Sequence, residues 1–105
     1  MLGGVVGGIG MVLSEKLEID HKTGQIINAS FGGYHVPLHS QIPPTDVWFV
    51  NKPDPNINDI GAKGIGEIAL IGFAAAVTNA VYNATGKRVR DLPITPEKLG
   101  FKTKA

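Results

Sequence analysis

The chain has 105 residues, 43% of them hydrophobic and 18% charged, and carries a formal net charge of +1. That length predicts one domain, residues 1–105, and the hydrophobic fraction argues against wholesale disorder. The near-neutral charge, with its scattered basic residues, excludes a strong electrostatic footprint for nucleic acid or an acidic membrane. The chain has no cysteine, which excludes disulfides, thiolate metal sites and iron–sulfur ligation within it.

The first thirteen residues are apolar and uncharged. They are too short to span a bilayer, and no basic segment precedes them, so we predict no membrane association and a cytoplasmic location by default. Residues 3–13 contain five glycines, while Val5, Ile9 and Val12 fall at helical spacing. A glycine-rich helix is one interpretation and a glycine-rich strand is the other. In the helix, a neighbouring backbone could come close at Gly4, Gly7 and Gly8.

Three short segments predict β-structure. Residues 16–20 alternate between polar and apolar side chains, residues 21–24 are typical of a turn, and residues 25–28 resume the strand pattern, which together predict a β-hairpin. Residues 32–45 contain two glycines and three prolines and predict an irregular surface excursion. Residues 46–51 are rich in β-formers and predict a further strand, with one of its two adjacent aromatic residues facing the core.

The clearest helical segment covers residues 67–84, which are alanine-rich and apolar nearly all round. It opens with Glu67, where a helix dipole favours an acid, and Gly86 follows as the expected C-terminal cap. Thr95 and Pro96 predict the start of a short closing helix. We therefore predict an α+β fold: a small, mainly antiparallel sheet with a long buried Ala-rich helix and a Gly-rich helix.

Residues 61–67 (Gly-Ala-Lys-Gly-Ile-Gly-Glu) lead directly into that helix. Glycines let backbone N–H groups approach a ligand, and Lys63 adds a point charge, so the segment is a candidate anion-binding turn. Residues 64–69 also fit the loose Gly-x-Gly-x-x-Ala dinucleotide pattern, but no strand runs into them and no βαβ unit follows. The plainer interpretation is a glycine turn that caps a helix, with Glu67 favourable in the first turn.

The same run closely resembles the Gly-Glu signature near the end of the molybdenum hydroxylases, the xanthine dehydrogenase and aldehyde oxidase family. Further segments resemble that family in the same order: Gly-Gly-Val-Val-Gly-Gly-Ile-Gly-Met at 3–11, Ser14-Glu15, Gly24, Tyr-His-Val-Pro at 34–37, Ile42-Pro43 and Leu-Pro-Ile-Thr-Pro-Glu-Lys at 92–98. The combination spans roughly residues 3–99 and is similar to the C-terminal part of the molybdopterin-binding large subunit.

The resemblance implies a hydroxylase that acts on an N-heterocycle or an aldehyde, with water as the oxygen source. It implies that Glu67 is the catalytic base, taking a proton from a hydroxyl ligand of molybdenum, and that Lys63, Gly64, Ile65 and Gly66 line the pterin cofactor. The implied cofactor is a molybdenum-pterin group shared with segments that this chain lacks. The implied partners are the rest of that subunit, an iron–sulfur subunit and a flavin subunit, and the isolated chain is expected to be inactive.

Two positions depart from the family pattern: Gly7 stands where a glutamine is common, and Leu2 where an acid is common. The family's subunit is also several times longer. These departures keep open an alternative, a cofactor-free remnant that serves as an assembly or interaction domain. His35 and His39 have the spacing of two metal ligands on a helix, but Pro37 between them disfavours that helix.

Overall fold

The computed structural model describes residues 1–102, so the last three residues of the predicted domain lie outside the described residues. Three α-helices are present in that range: α1 (Leu2–Leu13), α2 (Ile68–Ile71) and α3 (Phe73–Thr85). Two short 3₁₀ helices, His39–Gln41 and Pro96–Leu99, complete the regular structure. Residues 1–102 contain no β-strand, so the predicted α+β class with its antiparallel sheet is wrong.

Helix α1 packs against α2 and α3 through its glycines. A β-carbon placed on Gly4 would lie 3.1 Å from Cβ of Ala69, and one on Gly8 would lie 2.4 Å from Cγ of Phe73. Gly7 faces Leu70, whose Cδ1 would lie 3.9 Å from such an atom. The helical interpretation of residues 3–13 is therefore confirmed, and the competing strand is not found. A neighbouring backbone comes close at Gly4, where N of Leu70 would lie 3.4 Å from such an atom, whereas Gly7 and Gly8 meet side chains.

The predicted helix over residues 67–84 is present but interrupted at Gly72, which separates α2 from α3. Glycine is a weak helix former because it gains no side-chain contacts and loses the most backbone entropy. Gly86 ends α3 with a φ of 70°, as predicted for a C-terminal cap. The predicted burial is wrong, because no residue of α3 is buried. None of the described residues packs over the outer face of α3.

The predicted hairpin is reduced to one isolated antiparallel bridge between Ile19 and Ile26. The side chain of Asn28 explains why the ladder stops there. Its Oδ1 accepts the N–H of Glu18 at 2.9 Å, and its Nδ2 donates to the carbonyl of Lys16 at 2.7 Å. These contacts occupy backbone groups that would otherwise extend the ladder, and among residues 1–102 no third strand supports the pair.

The predicted strand at residues 46–51 is irregular, since no partner strand accompanies it in the described chain. Trp48 is 82% exposed and Phe49 is 53% exposed, so neither aromatic ring reaches a core. β-Propensity reflects packing against cross-strand neighbours, and without neighbours it does not produce a strand.

Val12 and Ile94 form the small core, with exposures of 0% and 4%. The N–H of Ile94 donates to the carbonyl of Val12 at 2.6 Å, which ties the end of α1 to the closing segment. The 3₁₀ helix Pro96–Leu99 begins after an extended Thr95 with proline at its first turn, as predicted. The radius of gyration is 17.8 Å, whereas an independent domain of this size has about 13 Å. The chain therefore buries little of its own apolar surface.

By length and composition, residues 68–85 are apolar enough to cross a membrane. One such segment is a weak indication, because core helices of soluble proteins pass the same test. The prediction that the chain does not associate with a membrane stays a prediction.

Candidate functional site

The loop before α2 closes on itself between residues 53 and 62. The N–H of Asp54 donates to the carbonyl of Gly61 at 3.2 Å, and a β-carbon on Gly61 would lie 2.7 Å from Cβ of Pro53. Gly61 has a φ of 63°, so both its backbone angle and the close contact require glycine. The two ends of the loop are held together at the point where the glycine-rich run begins.

Asn58 closes the same loop with its side chain. Its Oδ1 accepts the N–H of Ala62 at 2.9 Å, and its Nδ2 donates to the carbonyl of Ala62 at 2.8 Å. The carbonyl of Asn58 also accepts the N–H of Gly61 at 3.0 Å. This double contact fixes the backbone of the residue that precedes Lys63.

Lys63 forms an ion pair with Asp54, with 3.5 Å between Nζ and Oδ2. The side chain of Lys63 is 54% exposed and that of Asp54 is 31% exposed. The cation predicted from the sequence therefore has a partner within the loop, and Asp54 was not among the predicted site residues. Its position in a Pro-Asp-Pro-Asn turn signalled loop formation but gave no sign of which side chain it would contact.

Glu67 lies at the N-cap position of α2, and its carbonyl accepts the N–H of Leu70 at 2.8 Å. Its side chain is exposed, and within residues 1–102 its carboxylate has no hydrogen bond or ion pair. We expected Glu67 to open one long helix whose dipole favours an acid. Instead it precedes a helix of four residues, which contributes little of that effect. The helix dipole therefore does little to favour the acid at position 67.

A cleft of about 620 Å³ opens beside Glu67. We call it the Glu67 cleft; its lining residues are Met11, Gly64, Ile65, Gly66, Glu67, Ile68, Leu70 and Ile71. Among these residues only Glu67 carries an ionisable side chain. Three of the four predicted cofactor-binding residues thus lie beside the predicted base. Met11 joins them from α1, a contribution that the sequence did not reveal.

A second cleft of about 760 Å³ lies beside Lys63. We call it the Lys63 cleft; its lining residues are Met1, Trp48, Phe49, Val50, Asn51, Lys52, Pro53, Gly61, Lys63, Gly64, Ile65 and Ile68. Gly64 and Ile65 border both clefts, whereas Glu67 lines only the first and Lys63 only the second. The structure therefore places the predicted cation and the predicted base on the two sides of one short backbone segment.

The glycines between the two clefts leave room for a ligand. No heavy atom outside their chain neighbours lies within 4 Å of the position that a β-carbon would take on Gly64 or on Gly66. A flat group could therefore approach this backbone closely. The open glycine backbone and the adjacent lysine fit the wall of a site for an anionic group, and the unpartnered carboxylate of Glu67 lies beside that wall.

The comparisons with known proteins identify the family to which the chain is related. A family model described as the molybdopterin cofactor-binding domain matches residues 1–43. The molybdenum-binding subunit PaoC of an Escherichia coli aldehyde oxidoreductase is 46% identical over 94% of this chain. The aldehyde oxidoreductase of Megalodesulfovibrio gigas is 41% identical over 92% of it. Each of these two alignments omits only a few residues of this chain. Residues 61–67 lie far enough from both ends to fall within them.

A solved structure shows the same likeness. Quinoline 2-oxidoreductase from Pseudomonas putida 86 superposes on 93% of this chain with a TM-score of 0.79 and 31% identity. The described residues thus correspond to part of a molybdenum-cofactor-binding protein. The chain belongs to the xanthine dehydrogenase and aldehyde oxidase family of molybdenum hydroxylases, whose cofactor is molybdopterin. It spans 14% of the length of PaoC, 10% of the Megalodesulfovibrio protein and 13% of the quinoline enzyme.

Proposed function

We propose that this chain supplies the catalytic base of a molybdenum hydroxylase, Glu67, together with part of the wall of its pterin cavity. The observation that carries the proposal is the position of Glu67 in an otherwise apolar cleft, with no partner for its carboxylate among residues 1–102. The wall residues are Lys63, Gly64, Ile65 and Gly66. The reaction is hydroxylation of an aldehyde or an N-heterocycle with oxygen from water. Relatives named aldehyde oxidoreductase and nicotine 6-hydroxylase support both substrate classes.

Molybdopterin, when bound, supplies the redox chemistry of the hydroxylation. The contribution of this chain is proton transfer and positioning. A general base must be ionised and within hydrogen-bond reach of the proton that it removes. Because no neighbour among residues 1–102 holds the Glu67 carboxylate, both of its oxygens can face a bound molecule. The apolar side chains around it favour a site from which water is displaced, where its charge acts more strongly.

Gly64 and Ile65 line both clefts, and Gly66 lines the Glu67 cleft alone. Backbone N–H groups of glycine can approach anionic oxygen atoms without steric hindrance from a side chain. Lys63 adds a cation from the other side of the same segment. These four residues would hold the cofactor, while Glu67 serves the reacting atoms.

The exposed apolar surface supports the proposal that the chain has a partner. Ile71 and Ile60 are each 82% exposed and Val50 is 91% exposed, which is unusual for an independent domain. We propose that the remainder of a molybdenum-binding subunit covers this surface, and that iron–sulfur and flavin subunits complete a cytoplasmic enzyme. The isolated chain then has no activity, because most of the cofactor cavity is built elsewhere.

The base assignment is tested by Glu67→Gln in the holoenzyme that carries this chain. Removing a general base typically lowers the rate by about 10²–10⁴-fold, and we expect molybdenum content to stay unchanged. Glu18→Gln is the matched control, because it makes the same chemical change outside both clefts. Full hydroxylase activity in the Glu67→Gln enzyme would show that another group is the base.

The assembly is tested by purifying the chain from its native source, followed by molybdenum analysis and intact-mass analysis of its companions. Stoichiometric molybdenum with a large companion polypeptide is the expected result. A metal-free chain bound to a protein that lacks molybdopterin would support the alternative, an assembly or interaction domain without catalysis.

A further inference from the structure

We propose that Asp54 is a positioning residue that holds the Lys63 ammonium at the mouth of the Lys63 cleft. The inference rests on the proposed function, in which Lys63 contacts the anionic part of the cofactor. Asp54 itself does not line either cleft. Its effect on a ligand would therefore pass through Lys63.

The two oxygens of the Asp54 side chain have separate roles. Oδ1 accepts the N–H of Asn56 at 3.1 Å, which fixes the orientation of the carboxylate. Oδ2 is then directed to Lys63 Nζ, 3.5 Å away. The backbone is held as well, because the N–H of Asp54 donates to Gly61 and its carbonyl accepts the N–H of Ile57.

This anchored acid contacts a flexible cation. A lysine side chain has four rotatable bonds and loses substantial entropy when it is held in one place. A preplaced Asp54 confines Lys63 before the ligand arrives, so that less freedom is lost on binding. The pair is weak because Lys63 is 54% exposed, so an incoming anion can share the ammonium without first breaking a strong bond.

Lys52 provides an internal comparison. It lines the same cleft as Lys63, but it has no ion pair among residues 1–102. If any cation in this cleft were sufficient to retain the cofactor, Lys52 and Lys63 would contribute equally to its retention. If Asp54 sets the position of the cation, only Lys63 is coupled to it.

The experiment measures how fast the holoenzyme loses molybdenum and pterin during incubation in buffer without free cofactor. The variants are Asp54→Asn, Lys63→Gln, the double variant, and Lys52→Gln with and without Asp54→Asn. Asparagine keeps an oxygen that can accept the N–H of Asn56, so the loop fold is retained. Far-ultraviolet circular dichroism of every variant checks that the fold is intact.

We expect Asp54→Asn to speed cofactor loss about threefold, below the roughly fivefold limit set by an exposed ion pair. Lys63→Gln should act at least as strongly, and the double variant should lose cofactor no faster than Lys63→Gln alone. In the Lys52→Gln background, Asp54→Asn should keep its full effect. This pattern is the signature of Asp54 acting through Lys63.

Three results would overturn the inference. Unchanged or slower loss in Asp54→Asn would mean that Asp54 competes with the cofactor for Lys63 or has no role. An effect of Asp54→Asn that persists in the Lys63→Gln background would mean that it acts through the loop fold alone. Normal retention in Lys63→Gln would remove Lys63 from the cofactor site, and this failure of the proposed function is distinct from the first two results.

Discussion

Phe73 lies directly against the backbone of Gly8: a β-carbon on that glycine would be 2.4 Å from Cγ and 2.7 Å from Cδ1 of the ring. We predict that Gly8→Ala destabilises the fold by up to about 2 kcal/mol, because an overpacking cost of about 1–3 kcal/mol is only partly offset by the helix propensity of about 1 kcal/mol that alanine gains over glycine. Urea unfolding would measure the difference.

Gly3→Ala is the matched control for that substitution. Gly3 lies in the same helix, but no heavy atom lies within 4 Å of the position that a β-carbon would take on it. The substitution should stabilise α1 by up to about 1 kcal/mol, because only the propensity gain remains. Equal effects at positions 3 and 8 would contradict the close packing of α1 on α3.

Tyr34 donates its hydroxyl to Oε2 of Glu15 at 2.8 Å. This hydrogen bond raises the pKa of Tyr34, with smaller contributions from desolvation and from the Glu15 charge. The raised pKa means that the contact stabilises the fold fully below the ordinary tyrosine pKa of about 10, and is lost as the pH rises through the folded-state pKa. Glu15→Gln should lower the pKa of Tyr34.

The phenolate absorbance of a Tyr82→Phe background measures that pKa, because Tyr34 is then the remaining tyrosine. Glu18→Gln is the control, since the hydroxyl of Tyr34 bonds to Glu15 instead. An unchanged titration in Glu15→Gln would rule out the carboxylate of Glu15 as the cause of the shift.

Asn58→Ala removes both side-chain contacts to Ala62. The hydrogen bond that holds the Ala62 N–H contributes about 1 kcal/mol at most in an exposed loop, so we expect the Ala62 amide to exchange up to about fivefold faster. Hydrogen exchange followed by NMR measures this directly. Asn56→Ala should leave the rate unchanged, because the Asn56 side chain has no hydrogen bond among residues 1–102.

The pKa of Asp20 is lowered, first by the backbone N–H of Lys22 and next by the hydroxyl of Thr23. A lowered pKa means that the contact stabilises the turn above the ordinary aspartate pKa of about 4, and is lost as the pH falls through the folded-state pKa. Thr23→Ala should raise the pKa of Asp20 in an NMR titration of its carboxyl group. Thr45→Ala, whose hydroxyl bonds to Pro43, should not move it.

The sequence predicted the helices better than the β-structure for a physical reason. Helix signals are local: the glycine spacing of α1 and the cap at Gly86 depend on residues within a few turns. The alternation at residues 16–20 is real, but a sheet also needs partner strands, and Asn28 occupies the backbone groups where pairing would have continued.

At the candidate site, too, local features were predicted from the sequence and long-range contacts were not. The run at 61–67 marked Gly64, Ile65, Gly66 and Glu67, which line one cleft together. Neither the pairing of Lys63 with Asp54 nor the approach of Met11 could be predicted, because both depend on how a proline-rich loop and a distant helix come together. Nothing in the sequence indicated that the predicted helix would be interrupted at Gly72, where the structure separates α2 from α3.

The bond from Ile94 to Val12 affects the order in which the chain can fold during synthesis. Val12 is fully buried, yet Ile94, which donates to its carbonyl, is synthesised long after α1. Closing so long a loop is entropically unfavourable, and contacts distant in sequence form slowly. A nascent chain that stops short of Ile94 can pack α1 against α2 and α3 but leaves the Val12 carbonyl without its donor, and such incompletely packed states are prone to aggregate.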